Sequence, residues 1–125
     1  MTSLKNKSLL IVDDEHLIRE SLADEFKKYG CKVFEAGNGV EAFKIVQENS
    51  IDLVITDIRM PEGSGLDLLD NIKKHNPKRP RVVLVTGFAD MIQKDVIARG
   101  ADSLILKPFE LNHFISIVVD LLRSE

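Results

Sequence analysis

Five short apolar runs recur along the chain: SLLIVDD from Ser8, CKVFEA from Cys31, IDLVITD from Ile51, RVVLVTG from Arg81 and SLILKPF from Ser103. Longer stretches of helical period separate them, and this alternation constrains the fold more than any other feature. Parallel strands need a crossover long enough to hold a helix, so strand-length runs joined by helix-length connections predict a parallel sheet wrapped by helices. Segments such as LVIT and VVLVT are apolar on both faces, as strands are when helices cover both sides of the sheet. Right-handed crossovers leave few arrangements, and a doubly wound α/β sheet of five parallel strands in the order 2-1-3-4-5 is the expected one.

The connections read as five helices. Ile18, Leu22 and Phe26 share one helical face, placing a first helix from about Glu15 to Tyr29, with Gly30 where a left-handed C-terminal cap would stand. Asn38 offers an N-cap to a second helix carrying Ala42, Phe43 and Val46; Leu68, Leu69 and Ile72 mark a third, stopped near Pro77. A fourth is expected from about Ala89 to Arg99, ending at Gly100, and a fifth from Glu110 to Arg123. The apolar arc of the fifth is wider than one sheet face needs, which leaves Ile117 and Leu121 at a margin where a partner could bind.

At 125 residues the chain is expected to form a single domain, residues 1–125, large enough to bury a self-sufficient core. A net charge of −3 with both signs interspersed argues against direct nucleic-acid binding, which needs clustered Lys and Arg. The single cysteine, Cys31, excludes an internal disulfide and a thiolate metal cluster. No apolar run is long enough to span a membrane and MTSLKNKS lacks a signal-peptide core, so a cytoplasmic protein without membrane contact is expected. His16, His75 and His113 have no second ligand nearby in sequence and read as solvated surface residues.

In an open α/β sheet, ligands bind outside the carboxyl ends of the strands. The polar residues found there are Asp13 and Asp14 after the first run, Asp57 after the third, Thr86 after the fourth and Lys107 after the fifth. Three carboxylates at one edge make a hard oxygen site that suits Mg²⁺, with Mn²⁺ able to substitute. Two carboxylates about 4 Å apart repel by roughly 4 kcal/mol at an effective dielectric near 20, so a cation is needed, and Lys107 supplies part of it. On this reasoning Asp57→Asn should stabilise the metal-free protein. Glu15 reads as an acid in the first helical turn, favoured by the helix dipole.

Asp13-Asp14, then Asp57 with Met60-Pro61 and Gly65 following, then Thr86-Gly87, then Lys107-Pro108-Phe109, resembles the receiver domain of bacterial two-component response regulators across essentially the whole chain. The resemblance implies a flavodoxin-like (βα)5 fold. Because the 2-1-3-4-5 order is the family's known order, topology and resemblance are one expectation rather than two. It further implies that Asp57 is the phosphoacceptor, taking a phosphoryl group from a sensor histidine kinase or phosphotransfer protein in a Mg²⁺-dependent reaction. Asp14, Asp57 and the Arg59 backbone carbonyl would ligate the ion, and Asp13 would act through bound water. Lys107 would pair with Asp57 at rest and with a phosphoryl oxygen afterwards, aimed by a cis bond to Pro108. Thr86 would donate its hydroxyl to the phosphoryl group, with Gly87 leaving room beside it. Gly63 and Gly65 would permit the tight turns of the covering loop. The face of helix 4, strand 5 and helix 5 would control a homodimer or an output domain.

Two positions qualify that picture. Many receivers carry an aromatic residue three places before the lysine, where this chain has Leu104; a smaller repacking of Leu104 beneath the fourth helix is the expected substitute. Arg59 and Phe88 flank the site, where side chains influence phosphoryl lifetime in the family. A stand-alone phosphorelay shuttle and a receiver that binds partners without phosphorylation are variants of the same reading. An aspartyl-nucleophile Mg²⁺ phosphatase is disfavoured because its general acid would stand where Arg59 does, and a flavodoxin-like cofactor binder because Asp13-Asp14-Glu15 would repel a phosphate.

Overall fold

A computed structural model describes residues 4–87 and 93–123. Strands β1 (Ser8–Val12), β2 (Lys32–Ala36), β3 (Leu53–Asp57), β4 (Arg81–Thr86) and β5 (Ser103–Leu106) alternate with helices α1 (His16–Lys27), α2 (Gly39–Glu48), α3 (Gly65–His75), α4 (Gln93–Ala98) and α5 (Leu111–Arg123). The strands are parallel, as the alternation predicts, and run in the order β2-β1-β3-β4-β5 that the resemblance implies.

Strand periodicity sorts the core into two layers. Leu9, Ile11, Leu53, Ile55, Val83, Val85 and Ile105 face α1 and α5, where Phe26 and Phe114 meet edge to face with centroids 6.1 Å apart. Leu10, Val12, Val54, Val82 and Leu84 face the other way, against Ala42 of α2, Leu68, Leu69 and Ile72 of α3 and Val96 of α4. Each fully buried side chain of this size contributes about 2 kcal/mol, so most of the stabilisation of the sheet lies in these two layers.

Local signals act where the sequence places them. Asn38 accepts from the Glu41 amide and caps α2, Ser64 does the same for α3 through Asp67, and Gly30 after α1 is left-handed at φ 89°. Three expectations need correction. Glu15 is the N-cap position of α1 rather than part of its first turn, and its side chain makes no cap bond. Ile117 and Leu121 pack partly against the core, because α5 is set deeply; the exposed apolar side chains of the α4, β5 and α5 face are instead Ile97, Leu106 and Leu111. Gly65 is not needed for a special turn. A Cβ there would collide with the Asp57 carbonyl oxygen, whereas Gly63, at φ 85°, does need its conformational freedom. Phe88 and the expected start of the fourth helix lie outside the described residues.

Candidate functional site

At the carboxyl edge, β1 and β3 lie side by side and deliver their terminal acids to one place. Carboxylate oxygens of Asp13, Asp14 and Asp57 all lie within 4.8 Å of one another. At that spacing each pair of charges repels by about 3 kcal/mol at an effective dielectric near 20. The three acids differ sharply in setting: Asp13 is buried, Asp57 half-buried and Asp14 exposed. Burial pushes the Asp13 carboxyl above the ordinary aspartate range, and nearby Asp57 adds to that; the Glu15 amide donating to Asp13 Oδ1 at 2.9 Å and the Lys107 ammonium oppose it.

Lys107, fifty residues after Asp57 in sequence, donates from Nζ to Asp57 Oδ2 at 3.3 Å. Both side chains are largely covered, at 27% and 13% exposed. The Lys107 amide donates to the Thr86 carbonyl at 2.8 Å, which fixes the residue at the edge shared by β4 and β5. The Lys107–Pro108 bond is cis, as the resemblance implies, and so is Arg79–Pro80, which no sequence signal announced.

Thr86 is fully buried at the end of β4. Gly87 next to it is exposed, and a Cβ there would make ordinary contact, 3.8 Å from the Lys107 Cβ. Arg59 is exposed on the loop after β3, while Ile58 and Met60 on either side are buried, so the Arg59 backbone is held close to the edge. Leu104 is half-buried and packs in the same layer as Val96 of α4. Among the three histidines, His16 pairs with Glu20 and His75 with the Asn71 carbonyl at the surface, and His113 is exposed.

The donor set is all oxygen, carries three potential negative charges and has one ammonium group against them, which fits a hard divalent cation. Sequence reasoning missed the residue that holds the first loop together. Arg19 of α1 donates to the Asp13 backbone carbonyl at 2.7 Å and to Glu35 of β2 at 3.2 Å. A cation in the second turn of a helix that follows an acidic loop was the available signal, but its partners become visible only with the fold.

The chain matches the response regulator receiver domain family over residues 9–119. It is 35% identical over 111 residues to sporulation initiation phosphotransferase F of Bacillus subtilis, covering 87% of this chain and 88% of that protein. It is 36% identical to the DNA-binding transcriptional regulator NtrC of a Bradyrhizobium strain, spanning 89% of this chain but 23% of that longer protein. The crystal structure of the Thermotoga maritima response regulator TrrA in complex with Mg²⁺-BeF superimposes with a TM-score of 0.82 at 36% identity, covering 92% of this chain and 98% of that one. With the strand order, the edge carrying three acids and a lysine, and these matches in agreement, the chain belongs to the receiver domains of two-component response regulators.

Proposed function

We propose that the chain is a single signalling domain in which Asp57 accepts a phosphoryl group from a phosphohistidine of a sensor kinase or phosphotransfer protein. An Asp57 oxygen forms a bond to phosphorus, the bond between phosphorus and the imidazole nitrogen breaks, and the imidazole leaves with the electron pair and takes up a proton. The observation that carries this reading is the contact of Lys107 Nζ with Asp57 Oδ2 inside the cluster of three acids. An Asp57 oxygen thus lies beside a mobile point charge, which supports the reading because that charge could follow a phosphoryl oxygen once Asp57 is modified.

Asp14, Asp57 and the Arg59 carbonyl would hold Mg²⁺ or Mn²⁺, with Asp13 acting through water. When bound, the ion supplies positive charge against the carboxylates and the phosphoryl oxygens. Asp57 sits at the end of a central strand and is fixed in direction, so alignment comes from the sheet. Thr86 would turn its hydroxyl toward the phosphoryl group, Gly87 leaves the approach open, and Leu104, beneath α4, would repack in response. The exposed Ile97, Leu106 and Leu111 would then serve a second copy or an output domain. No helix among the described residues is long and apolar enough to cross a membrane, and a cytoplasmic site of action follows from the proposed kinase partner. A net charge of −3 disfavours direct nucleic-acid binding by these residues themselves.

Labelling by a small phosphodonor in Mg²⁺ tests the acceptor. Label is expected on the wild type and absent from Asp57→Asn; label retained by the variant overturns the assignment. A shuttle in a phosphorelay is a second reading, supported by the 35% identity to the Bacillus phosphotransferase. Transfer of label from the phosphorylated protein to a histidine phosphotransfer protein, against slow loss to water alone, separates the two.

A further inference from the structure

The loop that delivers Asp13 and Asp14 is gripped from one side by a single guanidinium. Arg19 is largely covered, its side chain 16% exposed, and its planar fork reaches three parts of the fold. Nε donates to Glu35 Oε1 of β2 at 3.2 Å, Nη1 to the Asp13 backbone carbonyl at 2.7 Å, and Nη2 to His16 Nδ1 of α1 at 2.9 Å. The shortest of these fixes the peptide plane between Asp13 and Asp14, and that plane sets the direction in which the Asp14 side chain leaves the backbone. Asp13 has other restraints, since its amide donates to the Ala36 carbonyl and its carboxylate accepts from Glu15. The exposed Asp14 has no comparable clamp in its own side chain.

We infer that Arg19 is a positioning residue for divalent-ion binding: by holding the Asp13–Asp14 peptide against β2, it presents the Asp14 carboxylate in its ligating direction before the ion arrives. The inference rests on the reading of the three acids as a Mg²⁺ site. Its sign runs against simple electrostatics. A fixed positive charge close to the site repels a cation, so by Coulomb's law alone removing Arg19 should tighten binding. Preorganisation predicts the reverse, because a loose loop must be ordered at the expense of binding, and removal of residues that orient metal ligands lowers affinity by about 10- to 100-fold. Lysine cannot substitute: its ammonium keeps the charge but is a single point on a flexible stem and cannot span Glu35, the Asp13 carbonyl and His16 together.

Calorimetric titration of the metal-free protein with Mg²⁺ tests this on wild type, Asp14→Asn, Arg19→Lys and Arg19→Gln. Saturable binding by the wild type, lost in Asp14→Asn, is expected, with both Arg19 variants binding about 10-fold more weakly. In phosphodonor labelling, the Mg²⁺ concentration giving half the maximal rate should rise by about the same factor in Arg19→Lys while the rate at saturating Mg²⁺ stays unchanged, a split that general loosening of the fold would not produce. Wild-type affinity in Arg19→Lys, or tighter binding by Arg19→Gln, overturns the role of Arg19 and leaves the metal site standing. Absence of saturable binding by the wild type overturns the site and the inference together. Arg19→Lys, which keeps a cation opposite Glu35, carries the test if the glutamine variant does not fold.

Discussion

The two ends of the sheet use the same kinds of side chain to opposite effect. At the amino end, Asp102 accepts from the Val82 amide at 2.8 Å and lies 3.4 Å from Arg81 and 3.6 Å from Lys73, which also donates to the Pro80 carbonyl. Asp52 there accepts from the Ser8 amide at 2.7 Å. At the carboxyl end, three acids share one ammonium group and Asp13 is buried without a full counter-charge. Carboxylates at the first end are bound to backbone donors and cations and therefore hold elements together. Those at the second are left with charge in excess, which costs stability and suits them to a ligand. Acid content alone does not mark a site; the balance of donors around the acids does.

Four substitutions sharpen or break this contrast, and all are best measured by denaturant unfolding in chelator. Asp102→Ala should have the largest effect, a loss of about 3 kcal/mol, because it strands the Lys73 ammonium, 9% exposed, and the Val82 amide. Mg²⁺ affinity should be unchanged; a loss of affinity there would erase the distinction between the two ends.

Asp13→Asn should have the opposite sign and raise metal-free stability by about 1 kcal/mol at pH 7, since asparagine keeps an oxygen for the Glu15 amide and removes the buried charge. The pH dependence follows from the raised Asp13 carboxyl. Between the unfolded value of 3.8 and the higher folded one, the native state holds the extra proton, so the wild type loses stability as pH rises through that window. The advantage of Asp13→Asn should therefore be full above the raised folded value and vanish below the unfolded value of 3.8. A constant advantage across that range would mean that charge is not its origin.

Asp57→Asn, expected from sequence to stabilise the metal-free protein, should do so by only about 0.5 kcal/mol, since relief of repulsion is offset by loss of the Lys107 pair. Its gain should fall short of that of Asp13→Asn; the reverse order would show that the lysine contact is weak in solution. The smallest change belongs to Arg99→Gln. Arg99 pairs with Asp70 at 2.6 Å, but the two side chains are 40% and 51% exposed, and loss of the pair should cost no more than about 0.5 kcal/mol.

The sheet was legible because strand and helix periods are written in consecutive residues, and the edge acids because strand ends are read from the same runs. Asn38 and Gly30 behaved as their local chemistry requires. The amino-end network was not legible, since Lys73, Arg81 and Asp102 are ordinary charged residues until the fold joins positions twenty or more apart. Arg19 was missed for the same reason: nothing in the sequence says that β2 will bring Glu35 to it. Burial on α5 failed differently. Periodicity gives the direction of a helix face but not its depth, so Ile117 and Leu121 were assigned to a free margin that the core partly covers.

Gly65 gives the carboxyl edge a hard side. The first residue of α3 sits so close to the Asp57 carbonyl that not even a methyl group fits between them, and its amide donates to the Ile58 carbonyl at 2.9 Å. Behind Asp57, then, the backbone is an anvil with no slack to take up. On the side of β5, contact with Asp57 is made by the Lys107 side chain instead of by main chain. A side chain at position 65 would therefore have to move the main chain at the end of β3, and with it the point from which the Asp57 carboxylate projects.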